Sequence, residues 1–191
     1  MSKSLSTREQ RLRIIGGSWR SRKLDFAANA QLRPTPDRVR ETLFNWIGHQ
    51  VLQSVCLDLF AGSGALGLEA LSRGASYCDF VDSDRASVQQ IEKNLKILKA
   101  DASCFSLHPR KAKDFLLDCE TVYDLVFLDP PFHKNHLAEL IPHLQNKLKP
   151  GARVYIEIEK SGTLPELPEA WSVIREKTAG QVRYHLVLVD S

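Results

Sequence analysis

The sequence predicts an α/β fold, with a mostly parallel sheet carrying helices on both faces, a closing antiparallel strand pair, and a small N-terminal β-hairpin and helix extension. Three observations predict it. From Val55 onward, short β-type runs alternate with helix-length stretches; the last two such runs have no helix between them; and the first forty residues follow a different pattern.

At the N-terminal end, RLRIIGG and SRKLDF read as two short strands joined by a turn at Gly16, Gly17 and Ser18. In LRPTPDRVRETLFNWIGHQ, Thr35 is placed to cap a helix and Pro36 to take its first position. Val39, Leu43, Phe44, Trp46 and Ile47 supply the helix's apolar face. VCLDLF, YCDFVD, ASCFSL and YDLVFLD are the strands that follow, separated by helical stretches such as ALGLEALSRG and RASVQQIEKNLKILK. That alternation is what a parallel sheet covered by helices requires. ARVYIEIE, WSVIREK and VRYHLVLVD complete the sheet, the last two as an antiparallel pair. The chain divides into a basic hairpin arm, residues 1–33, and a main domain, residues 34–191. The arm is expected to be removable without loss of the domain.

With 191 residues, 43% of them hydrophobic, there is enough apolar material for one well-buried domain. No apolar run approaches the roughly 20 residues that span a bilayer, and MSKSLSTREQRLR lacks the apolar centre of a secretory signal. A cytoplasmic protein with no membrane partner is expected. Cys56, Cys78, Cys104 and Cys119 form no C-x-x-C pair, and three lie in apolar segments, so they read as reduced thiols. His133 and His136 have no third ligand in view, and no metal is expected. Net charge is only +3, but residues 1–40 hold ten Lys or Arg against three Asp or Glu. That end either faces a polyanion or is a solvated tail.

The first chemical signal is LDLFAGSGALGLEA, a strand running into Gly62, Gly64 and Gly67 at the head of a helix. Glycines there let the backbone turn tightly and approach a ligand, and the helix start offers unpaired N–H groups. Asp82 ends the next strand, 20 residues after Gly62, where a carboxylate can accept from two ribose hydroxyls. An adenosine-bearing cofactor is implied; the alternative is a glycine turn that only packs a helix on a strand. NAD and S-adenosylmethionine both fit. Asp58, four residues before Gly62, favours the second, because it can reach the ammonium of an amino-acid tail directly or through water. The competing role for Asp58 is a structural, helix-capping carboxylate.

The second signal is FLDPPF, an apolar strand that ends in Asp129, Pro130, Pro131 and Phe132. In an open α/β sheet the ligand crevice lies off the carboxyl ends of the strands. Two prolines donate no hydrogen bond and fix their φ angles, so they hold carbonyl oxygens free. With the Asp129 carboxylate they form an acceptor-only pocket suited to the exocyclic amine of a nucleobase. Phe132 offers a stacking face for a base taken out of its helix. A bare proline turn with Phe132 in the core is the alternative.

These blocks, with RIIGGSWRSRKL, LRPTPDRVRETLFNWI, VDSDR and REKTAGQVRY, stand in the order of the RsmD family of 16S rRNA guanine-N2 methyltransferases, which the chain resembles over nearly its whole length. The resemblance implies a Rossmann-like class I methyltransferase fold with a seven-stranded sheet, so that residues 34–191 are the methyltransferase domain. It implies S-adenosylmethionine as methyl donor, S-adenosylhomocysteine as product, and N2 of guanine 966 as target. Phe60, Ala61, Gly62, Ser63 and Gly64 would lie against methionine and ribose, Asp82 with Ser83 on the ribose hydroxyls, and Asp129 to Phe132 around the base. Relatives in the wider superfamily place an acid beside the adenine amine after the third strand. Here Lys111 and Ala112 occupy that place. Arg11, Arg13, Trp19, Arg20, Arg22, Lys23, Arg33 and Arg38 are the RNA-binding candidates. A monomer acting on the assembled small subunit is implied. DPPF is shared with adenine-N6 enzymes, so a DNA or other RNA amino-methyltransferase is the alternative; a non-catalytic RNA-binding module and an NAD oxidoreductase leave more of the motifs unexplained.

Overall fold

The first strands, β1 (Arg11–Arg13) and β2 (Lys23–Asp25), pair antiparallel, with Leu12 opposite Leu24. The computed structural model describes residues 11–26, 35–131 and 136–190. Chain order continues with α1 (Asp37–Ile47), β3 (Val55–Asp58), α2 (Ala65–Ser72), β4 (Tyr77–Asp82) and α3 (Arg85–Leu98). Then come β5 (Phe105–Pro109), α4 (Ala112–Asp118), β6 (Tyr123–Leu128), α5 (His136–Leu144), β7 (Leu148–Glu159), β8 (Trp171–Ala179) and β9 (Val182–Val189). The expected strands all form, with shifted ends.

The main sheet has seven strands in the order β5-β4-β3-β6-β7-β9-β8. β3 pairs parallel with both β4 and β6, and β6 with β7; β9 enters antiparallel between β7 and β8. From β3 the chain steps outward through β4 and β5, then returns to the other side of β3 with β6. That reversal opens a crevice at the carboxyl ends of β3 and β6. Each sheet face is covered: Cys56, Phe80, Phe127, Tyr155 and Tyr184 pack with α1, α2 and α3, while Leu57, Val81, Val126, Leu128 and Ile156 pack with α5 and Phe115 of α4. Among the described residues no helix is long and apolar enough to cross a membrane.

One expectation is corrected here. Thr35 does not cap α1: Pro36 holds the cap position, with no side-chain bond. Its carbonyl takes the Val39 and Arg40 N–H groups, so the Thr35 hydroxyl is one residue too early and points elsewhere. The hairpin packs into the main core. Leu12, Ile14, Leu24 and Phe26 are buried in the same core layer as α1 and α2. Ile15 N and Gly16 N donate to the two oxygens of Glu69 at 2.8 Å each, and Ser18 N and Trp19 N donate to Ser72. Glu69 is fully buried on α2 and also takes Arg40 (3.4 Å) and Arg73 (2.7 Å). One carboxylate thus joins the hairpin, α1 and α2. The boundary expected between 33 and 34 lies outside the described residues.

Candidate functional site

The glycine turn sits where β3 meets α2. Gly64 caps α2 in the left-handed region, φ 75°, which a residue with a Cβ adopts only with strain. Gly67 answers a different need: a Cβ there would lie 2.3 Å from the Phe80 ring and 2.9 Å from Cys78 Sγ, so the helix could not seat against β4. Ala61 N donates to Val81 O, and Gly62 N donates to Asp82 Oδ2 at 2.7 Å. The other Asp82 oxygen takes Asp84 N at 2.8 Å. Asp82 is therefore held rigidly between the turn and the start of α3, on the crevice rim. Two main-chain donors leave a carboxylate's remaining lone pairs for a ligand. Ser63 is buried, Phe60 partly buried with its ring 5.9 Å from His136, and Ser83 exposed beside Asp82.

Asp58 ends β3 beneath this turn. Its Oδ2 accepts Gly67 N in the first turn of α2 at 2.9 Å, the helix-capping role weighed from the sequence. Burial pushes its carboxyl up to about 7; the Gly67 bond opposes that and the Asp82 charge adds to it. Lys111 and Ala112 open α4 just after β5, with Lys111 exposed. They stand on the far side of β4 from β3, level with the Asp82 end of the crevice.

Asp129 and Pro130 follow β6 directly; Pro130 is buried, Pro131 exposed, and Phe132 lies outside the described residues. The Thr35 hydroxyl donates to Asp129 Oδ2 at 3.4 Å. Burial pushes the Asp129 carboxyl well above the ordinary carboxylate range; the charges of Glu157 and Asp58 push the same way, and the Thr35 bond opposes them. Sequence reasoning missed Glu157. It stands on β7, one register step past the Leu128–Ile156 pair, which sets it beside Asp129. It is 5% exposed, and the Tyr155 hydroxyl donates to its Oε2 at 2.7 Å. The available signal was YIEIE: in a strand with both faces covered, an acid on either face is buried.

The basic candidates divide. Arg13 is exposed and pairs with Asp37, the first residue of α1, at 3.1 Å; exposed Arg38 follows Asp37. Thr35 ties that end of α1 to Asp129, so the start of α1 lies at the crevice. Lys23 lies opposite Arg13 across the hairpin, and Arg11 approaches Asp25 at 3.7 Å. Trp19 and Arg20 sit at the other end: Trp19 N bonds Ser72, the last residue of α2, and the Trp19 ring is partly buried against the core. Arg22 donates to Ile97 O near the end of α3. Arg33 lies outside the described residues.

Residues 12–188 match the family model described as conserved hypothetical protein 95. The chain is 49% identical over 177 residues to ribosomal RNA small subunit methyltransferase D of Escherichia coli, covering 92% of this chain and 88% of that one. A solved structure of a putative methyltransferase from Escherichia coli superposes with TM-score 0.87 at 45% identity, covering 95% of this chain and 99% of that one. At the level of fold alone, a putative methyltransferase complexed with SAH matches with TM-score 0.73 at 14% identity, over 87% of this chain and 53% of that one.

Proposed function

The chain belongs to the conserved hypothetical protein 95 family, that of the small-subunit rRNA methyltransferases D, and from that premise we propose that it methylates the exocyclic N2 amine of one guanine in 16S rRNA, position 966 by family naming. One observation carries the reading: Asp129 and Pro130, after β6, lie at the same carboxyl end of the sheet as the glycine turn after the neighbouring β3 and Asp82 at the end of β4. Asp82 would take the ribose hydroxyls, Phe60 to Gly64 the methionine and ribose, and Asp58 the ammonium. The Lys111–Ala112 turn would border the adenine.

S-adenosylmethionine supplies a methyl on a sulfonium, a leaving group that needs no metal. The chain supplies position and charge. Guanine N2 is a poor nucleophile because its lone pair feeds the ring. Asp129 and the Pro130 carbonyl would accept its two N–H bonds, turn the lone pair out of conjugation, and stabilise the positive charge that builds on nitrogen. Arg11, Arg13, Lys23 and Arg38 would hold phosphates beside the pocket, and Phe132 would stack on the base. The reading places the protein in the cytoplasm as a monomer acting on the assembled small subunit.

Labelled methyl donor tests this. Label should enter 16S rRNA of small subunits that lack the modification; label in protein alone, or none, would overturn the reading.

A further inference from the structure

Beside the part-buried Asp129 lies a buried acid that the proposed function leaves without a role. Glu157 is held by the Tyr155 hydroxyl at 2.7 Å, and a buried carboxylate facing another one is expensive to keep. Tyr155 packs against Tyr184 of β9, which is opposite Glu157 in register, so the acid has little freedom to turn away. We propose that Glu157 is a positioning residue that acts through Asp129, its fixed charge making Asp129 the acceptor of the proton that the target amine releases.

The inference rests on the proposed transfer. In that step the N–CH3 bond forms as the S–CH3 bond breaks, and sulfur keeps the electron pair. Nitrogen becomes cationic, then gives one proton to the ionised Asp129 carboxylate and regains its lone pair. The sulfonium charge is gone, and Asp129 is left neutral beside the Glu157 charge, an arrangement two close carboxylates favour. The proton then leaves to water. Burial and the Glu157 charge both raise the proton affinity of Asp129; the Thr35 bond lowers it. Burial raises Glu157 as well, and the Tyr155 bond opposes this. Among the described residues, the titratable groups that bear on the pair are Asp58 on β3 and Tyr155 on β7; neither is a cation. His133 and Lys134 lie outside the described residues.

The test is the pH profile of methyl transfer to small subunits with saturating S-adenosylmethionine, for wild type, Glu157→Gln, Glu157→Asp and Tyr155→Phe. Activity needs ionised Asp129, so it falls as pH drops through the raised value, and this acid limb reports the pair. Glu157→Gln removes the like charge and should move the limb down by about one pH unit. It should also cut kcat about tenfold at neutral pH with S-adenosylmethionine affinity unchanged. Glu157→Asp should restore the wild-type limb. Tyr155→Phe, which spares both carboxylates but lets Glu157 take up a proton, should shift the limb in the Gln direction by less, and it serves if the Gln variant does not fold. An acid limb unmoved in both Gln and Phe variants overturns the inference while wild-type turnover leaves the proposed function standing. Wild type without transfer at any pH overturns both.

Discussion

Asp129 and Asp82 stand in one crevice, yet substituting them should have different effects. Asp129→Asn keeps the size of the side chain but removes its charge from the target amine, so kcat should fall roughly 10²–10³-fold. S-adenosylmethionine affinity should barely change, and equal losses in binding and turnover would put Asp129 in the cofactor site instead. Asp82→Ala should weaken S-adenosylmethionine and S-adenosylhomocysteine alike by about 2 kcal/mol, the worth of two charge-assisted bonds; calorimetry showing unchanged affinity would remove the ribose role. Asp58 carries a signature of its own. Its carboxyl is pushed up to about 7, so near neutral pH it is partly protonated, and a neighbouring ammonium favours the charged form. Cofactor binding should therefore release protons, seen as a buffer-dependent enthalpy; no proton release at pH 7 would leave Asp58 with the capping bond to Gly67 alone. The reach of sequence reasoning differs across these residues. Gly62 and Asp82 were legible because their meaning lies in spacing along the chain, and their 2.7 Å bond follows from it. Glu157 and Thr35 were not, because each meets Asp129 only through a neighbouring strand or helix start that local pattern does not register.

The N-terminal hairpin shows the same limit at the scale of an element. Its two strands could be read from RLRIIGG and SRKLDF, but its charges drew attention away from Leu12, Ile14, Leu24 and Phe26, which the core requires. What fixes it is Glu69, whose buried carboxylate accepts from Ile15, Gly16, Arg40 and Arg73. Glu69→Ala would leave Arg40 buried with one partner fewer and two hairpin N–H groups unpaired. We expect it to cost about 3–5 kcal/mol in denaturant unfolding, the usual penalty for breaking a buried pair from one side. A loss under 1 kcal/mol would mean that the hairpin is loosely attached after all. Removing residues 1–24 should accordingly unfold the chain, so the basic face has to be tested by point substitution. The helix LRPTPDRVRETLFNWI was the better-read element: its apolar face packs as expected, with Phe44 5.9 Å from Phe127.

For the molecule as a whole, basic side chains and the proposed catalytic pocket meet near one end of the sheet. Arg13 and Arg38 stand beside the start of α1, which Thr35 joins to Asp129, whereas Trp19 and Arg22 lie toward the far ends of α2 and α3. Every phosphate that a basic side chain ceases to neutralise lowers the slope of log affinity against log salt by about 0.7 to 0.9. Replacing Arg11, Arg13 and Arg38 by Ala should therefore lower that slope by about two units without changing S-adenosylmethionine affinity, while Arg20 and Arg22 replaced together should change it less. An equal effect from both sets would mean that RNA wraps the whole face. The fold class was legible because alternation of strand and helix repeats over most of the chain, and the identity of the base was not, because DPPF presents acceptors to any exocyclic amine. The most direct measurement follows from that gap: incubate small subunits lacking the modification with the protein and S-adenosylmethionine, digest the 16S rRNA to nucleosides, and identify the methylated product. The account predicts N2-methylguanosine, lost in Asp129→Asn; N6-methyladenosine, or N2-methylguanosine undiminished by that substitution, would contradict it.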